Sequence, residues 1–240
     1  MEKSESGSPI YRYENKTPKE FEPAFGDDDT IEDISNHIEK YIGPIHMVFH
    51  EIISDKVHID VHWVQPTEEK PFHTLITSGM SDKAMNTPEG VDNAAYAELC
   101  ICLPEEWKIS QEDFEDDSNY WPIYWLKFLA RFPHEYDTWL GFGHTIPNGD
   151  PPAPFTENTG LNTMLLLPSI VLGEEFMSLE LENKTVNFFA LIPLYTEEVA
   201  LKMKKGVDSL FDGFDKHKVT DILDLNRPNT AKRKKIFGLF

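Results

Sequence analysis

Cysteine is nearly absent: two of 240 residues, at 100 and 102 in AELCICLP. On a strand these two thiols point to one face and lie too close along the chain for an ordinary disulfide. Two are also too few for a structural zinc site. Buried, reduced thiols are therefore expected, with a reducing cytoplasm as the compartment. Basic residues are scarce as well, 22 Lys and Arg against 42 Asp and Glu, for a formal charge of -20. Such a field repels nucleic acid and anionic membranes and speeds encounter with basic partners. No apolar run reaches the length a membrane-crossing helix needs, about eighteen residues. The opening MEKSESGSPIYRYENKTP lacks the apolar stretch of a signal peptide, so the Asn-Lys-Thr sequons at 15 and 183 are expected to go unused. G-x-S-x-G, H-E-x-x-H, the P-loop and G-x-G-x-x-G are all missing. There is no internal repeat and no Gly/Ser linker between two units.

What is present is a globular composition, 40% apolar and 12% aromatic, enough for one sizeable core. Residues 1–25, polar and proline-dotted, read as a mobile tail, 26–225 as a single domain, and 226–240 as a basic tail. That last segment carries five basic residues and no acid; with -20 for the whole and +5 there, the first 225 residues hold -25.

DDDTIEDISNHIEKYIG reads as a helix with a capping-box-like start at Thr30 and Asp33 and an apolar stripe at Ile31, Ile34, Ile38 and Ile42. The period then shortens to two. IHMVFHEII, VHIDVHWV, FHTLITS and AYAELCICLP read as four strands, and NYWPIYWLKFLARF as a helix. TMLLLPSIVL follows as a strand buried on both sides, SLELENKTVNFFALIPL as a hairpin about 182–184, and TEEVALKMKKGVDSLFDGFDKHKV as one long helix. The order αββββαβββα describes an α+β single-domain sandwich, a central mixed or antiparallel sheet flanked by helices.

Two stretches carry chemistry. In VHIDVHW, His58, Asp60 and His62 alternate on one strand face, a donor set that could take a divalent metal, with His46, His50 and His73 on neighbouring strands. Against this, side chains at i and i+4 of a strand are roughly 13 Å apart, so two such histidines cannot share an ion without a bulge. The second is RFPHEYDTWLGFGHTIPNGDPP, residues 131–152, with two histidines, a glutamate, two aspartates, three glycines and four prolines. His134, Glu135 and His144 could form an acid–base set with Asp137 or Asp150. Alternating Gly and Pro instead fix an irregular backbone, and an ordered loop of this length usually has a job, here read as recognition rather than catalysis.

TLITSGMSDKAMN, AYAELCICLP, YWLKFLARFPHEYDTWLGFGHTIPNGDPP, MLLLPS and the run from FFALIPLYTEEVALK to DLNRPN together resemble the suppressor-of-fused domain as it occurs in bacteria, from about residue 30 onward. The resemblance implies a non-enzymatic protein-binding domain with an α+β sandwich and no cofactor. Eukaryotic members clamp an extended peptide between this domain and a second one; bacterial relatives are associated with toxin–immunity loci. Ala130-Arg131-Phe132 matches the eukaryotic Ala-Arg-aromatic element, without the hydroxyl. Gly143-His144 keeps the family's histidine but not the acid before it.

The expected partner-binding residues are Phe132, His134, Trp139, Phe142, Gly143, His144 and Asp150. The expected partner is another protein, a basic toxin or an extended peptide, with no nucleic acid and no membrane. The alternatives are a metal-dependent hydrolase on His58, Asp60 and His62 with His144, and an oligomer pairing through an exposed strand edge.

Overall fold

A computed structural model describes residues 2–13 and 21–232. Asn15 and the last eight residues of the basic carboxy-terminal segment lie outside them. Two short strands, β1 (Glu2–Lys3) and β2 (Pro9–Ile10), pair with each other. The main sheet is built from β3 (Ile45–Phe49), β4 (Asp60–Val64), β5 (Phe72–Ser78), β6 (Ala97–Pro104), β7 (Thr145–Pro147), β8 (Leu161–Leu167), β9 (Ser178–Glu180) and β10 (Thr185–Tyr195). Its order is β3-β4-β5-β6-β10-β8-β7, with β9 on β10. Every pairing is antiparallel except β6 with β10, so the sheet is mixed.

Four helices flank it: α1 (Asp28–Tyr41), α2 (Asp117–Tyr136), α3 (Thr196–Lys205) and α4 (Phe211–His217). Period-two alternation sends Leu99, Ile101 and Leu103 of β6 to the α2 face, against Trp121, Trp125 and Leu129. The opposite face carries Cys100 and Cys102, packed with Ile34 and Ile38 of α1 and with Ile42, which caps its end. Both thiols are buried and reduced, and burial pushes them well above the usual thiol range. A third cluster joins Leu165, Leu167, Ile192 and Leu194 to Leu210 and Phe214 around α4. Each buried Ile or Leu contributes about 1.5–3 kcal/mol. The central strands β4, β5, β6 and β8 are covered on both faces, while β3 and β9 at the margins keep exposed residues.

The carboxy-terminal segment is clasped from inside. Arg227 reaches Glu198 of α3 with both guanidinium nitrogens, at 2.7 and 2.6 Å, and donates to the Pro193 carbonyl at 2.7 Å. Thr230 adds its backbone and hydroxyl donors to the same carboxylate. Despite burial, that pairing holds Glu198 below the usual carboxylate range.

The sequence expectations need correction at element ends. The α1 cap is Asp27, whose side chain accepts from the Thr30 N–H, one turn earlier than the Thr30–Asp33 reading. β3 stops at Phe49 and β4 begins at Asp60, because His50 to Ile59 leave the ladder for side-chain bonds to Glu51 and Asp60. α2 runs on through Pro133 to Tyr136, so the first six residues of the 131–152 stretch are helical rather than loop. The long final helix is split at Gly206, whose φ of 91° and missing Cβ end α3 before a 3-10 turn leads into α4. Among the described residues no helix is long and apolar enough to cross a membrane.

Candidate functional site

The remainder of the 131–152 stretch leaves α2 through Asp137, a left-handed residue whose N–H still bonds the Pro133 carbonyl. Thr138 returns its own N–H to Pro133, and its carbonyl accepts from Asn86 at 3.0 Å. Leu140 and Gly141 are buried. Gly141 has no room for a side chain: a Cβ there would lie 2.7 Å from the Trp139 ring. Gly143 adopts φ 75°, where a Cβ is costly. Its N–H bonds the Leu166 carbonyl at 2.8 Å, and the Leu166 N–H bonds the His144 carbonyl at 3.0 Å. The turn is thus stitched to β8 immediately before β7, and Phe142 at its tip is 51% exposed.

Beside it, the Trp139 and His144 rings meet edge to face at 4.3 Å. Burial first, then the charge of Lys202, lowers His144 to about 4, partly opposed by the Trp139 backbone. The imidazole is therefore neutral near pH 7. The Trp139 indole N–H is buried without a hydrogen-bond partner among the described residues. Such a group leaves hydrogen-bonding capacity in hand. Farther along, Asn148 ties the loop by donating to the Ala153 and Pro154 carbonyls. Phe155 anchors the return, stacked on Trp121 at 5.2 Å and against Trp125 at 4.9 Å.

Of the seven expected partner-binding residues, Trp139, Phe142, Gly143 and His144 share this one turn. Asp150 is exposed on the loop beyond it. Phe132 is buried in the core on α2, beneath the Tyr13 ring at 5.1 Å. His134 turns the other way, its Nε2 at 3.0 Å from the Met80 carbonyl, and burial lowers its pKa. Sequence reasoning missed Tyr13 and Phe155. A lone aromatic in a Pro/Gly loop is a weak signal for Phe155, and Tyr13, whose seat lies more than a hundred residues away in the chain, gave none.

The hydrolase set is not assembled. Asp60 takes His50 Nδ1 at 2.8 Å and His58 Nε2 at 3.1 Å, and accepts the Glu51 N–H at 3.1 Å. His62 turns to Ser78 at 2.9 Å, and burial lowers it to about 4. His144 sits five strand steps away, on the order of 20 Å at the usual strand spacing. Among the described residues no three His, Cys, Asp or Glu groups converge to hold a metal. Beside Asp60 a shallow cleft of about 410 Å³ opens between residues 50–53 and α2, with Ile52 98% exposed at its rim.

The family description "Suppressor of fused protein (SUFU)" matches residues 55–228. A search among curated proteins finds no match. Among solved structures, a suppressor-of-fused homologue from Neisseria gonorrhoeae FA 1090 aligns with a TM-score of 0.64 at 19% identity, covering 86% of this chain and 99% of that one. A Sufu–Fu complex structure aligns at 0.60 and 17% identity, over 84% and 92% of the two chains. Drosophila Suppressor of Fused aligns at 0.55 and 12% identity, over 84% of this chain and 51% of its own length. At these identities the structural matches speak for the fold.

Proposed function

Since this chain belongs to the suppressor of fused family, we propose that it is a non-catalytic binding module that sequesters another protein through the turn at 139–144. The observation that carries this reading is Phe142, a half-exposed aromatic on a backbone fixed by two bonds to β8. Aromatic anchors on preorganised backbone give affinity with little ordering cost. Trp139 and His144 supply a neutral polar flank, and Asp150 an acidic one. A related structure holds Sufu together with Fu, which supports a protein as the ligand class here.

The finer reading is an immunity protein that neutralises a basic toxin in the cytoplasm. A charge of -20 speeds encounter with a cationic partner, and a nuclease that must grip phosphate is one such partner. Co-expression with the product of the neighbouring reading frame tests it. A stoichiometric complex together with restored growth is the expected outcome; growth arrest with no complex removes the immunity reading.

A further inference from the structure

Residues 2–13 fold back on the domain beside the site. Ser6 donates its N–H to the Met203 carbonyl of α3 at 3.1 Å. Tyr13 stands edge-on to Phe132 at 5.1 Å, lies 5.3 Å from Tyr136, and places its phenol 2.5 Å from Thr138 Oγ1. Tyr11 stacks on Tyr13 at 6.4 Å. Arg12 pairs with Glu2 at 2.9 Å and lies within electrostatic reach of Asp150. The seat under Tyr13 therefore runs along the end of α2 into Thr138, the residue before Trp139.

The attachment is slight for a structural element. β1 and β2 have two residues each, and the serine hydrogen bonds of the segment stay largely within it. Tyr13, its main anchor, is still 36% exposed. A segment that contributes to a core buries its anchor more fully than this. One that imitates a ligand needs only a ring and a hydroxyl seated on the domain, and Tyr13 supplies both.

We infer that residues 9–13 occupy in cis a seat for an extended, tyrosine-bearing polypeptide, so that a partner docks by displacing them. The inference rests on the reading of residues 139–144 as the partner surface and adds the occupant of the ledge beside it. A tethered segment competes at an effective concentration of about millimolar. The intact chain thus binds such a peptide weakly until its own tyrosine is removed.

The probe is the fluorescein-labelled heptapeptide GSPIYRY, residues 7–13, titrated by anisotropy against the full chain and full-chain variants. Tyr13→Ala is expected to bind the peptide at least about tenfold more tightly than the wild type. Tyr13→Phe is expected to fall between the two. A peptide with alanine in place of the last tyrosine is expected to bind neither chain, and adding Thr138→Val to Tyr13→Ala is expected to weaken binding several-fold. Thermal melting checks that each variant is folded; should Tyr13→Ala fail that check, the comparison rests on Tyr13→Phe. Equal affinity of the wild type and the folded variant, or no binding to either, overturns the inference. If that happens while Phe142→Ala still abolishes capture of the protein partner, the binding-module reading stands and only the cis-occupant idea is lost.

Discussion

The two ends of the main sheet treat polar chemistry in opposite ways. At the β4 end, His50, His58, Asp60, Glu51 and Ser54 lie within a few residues of one another and spend their hydrogen bonds on each other. The apolar residues beside them, Ile52 and Ile53, stand on a segment tied down by side chains rather than by sheet pairing. At the β7 end there are fewer ionisable groups, but the backbone is stitched to β8 and an aromatic ring is held outward. A count of histidines and carboxylates favours the first end as a site. Rigid presentation of an exposed aromatic favours the second as the proposed recognition surface.

The largest expected effect is in acid, and it acts at both ends. His62 is fully buried and lowered to about 4, against about 6.5 when unfolded. Its neutral form is favoured by folding, so its contribution is present above pH 6.5 and lost as pH falls toward 4. The size is on the order of 3 kcal/mol. His144 is lowered to about 4 by the same cause, so its contribution has the same sign, the same pH window and the same order of magnitude. Glu98 works the other way: burial pushes it up to about 7, so its contribution is full below about 4.5 and lost as pH rises through 7. Urea unfolding of His62→Gln and of His144→Gln between pH 7 and 4 should therefore each show a shallower acid loss than wild type. An acid loss as steep as that of wild type in either variant would mean that its imidazole is solvated in the folded state.

Next in size is Asp60→Ala. It strands the Glu51 N–H and removes the partner of two histidines, at a cost of about 2 kcal/mol in unfolding free energy. Capture of the protein partner should be unaffected. Loss of capture with an intact fold would move the site to the β4 end. Gly143→Ala comes next. The nearest atom to its new Cβ is a Val207 methyl at 3.5 Å, an ordinary contact, so the cost is conformational, about 1–2 kcal/mol. The melting temperature should fall modestly and partner affinity with it, because the turn that carries Phe142 is re-aimed.

Much of the frame was legible from periodicity. The Ile34, Ile38 and Ile42 stripe, the alternation through Cys100 and Cys102, and the apolar run of β8 each mark a buried face without knowledge of what covers it. The ends of elements were not legible where a side chain replaces a backbone partner. Asp27 caps α1 in place of the expected Thr30, and Asp60 draws residues 50 and 51 out of the ladder. The histidine pattern on β4 suggested a metal set because spacing gives the face of a strand and says nothing of where each ring turns. Trp139, Gly143 and His144 could be grouped by proximity in the chain. The contact of Tyr13 with Phe132 could not, since only the fold joins those positions.

The most direct test is a calorimetric titration of the neighbouring-frame product against three full-length chains: wild type, Phe142→Ala, and the double variant Ile52→Ser/Ile53→Ser. Each substitution is at an exposed position and should change stability by no more than about 0.5 kcal/mol. The expected result is that Phe142→Ala weakens binding at least about thirtyfold, as loss of a hot-spot aromatic does, while the isoleucine variant binds as wild type. Unchanged affinity for Phe142→Ala alongside lost binding for the isoleucine variant would contradict the assignment and place recognition at the β4 end.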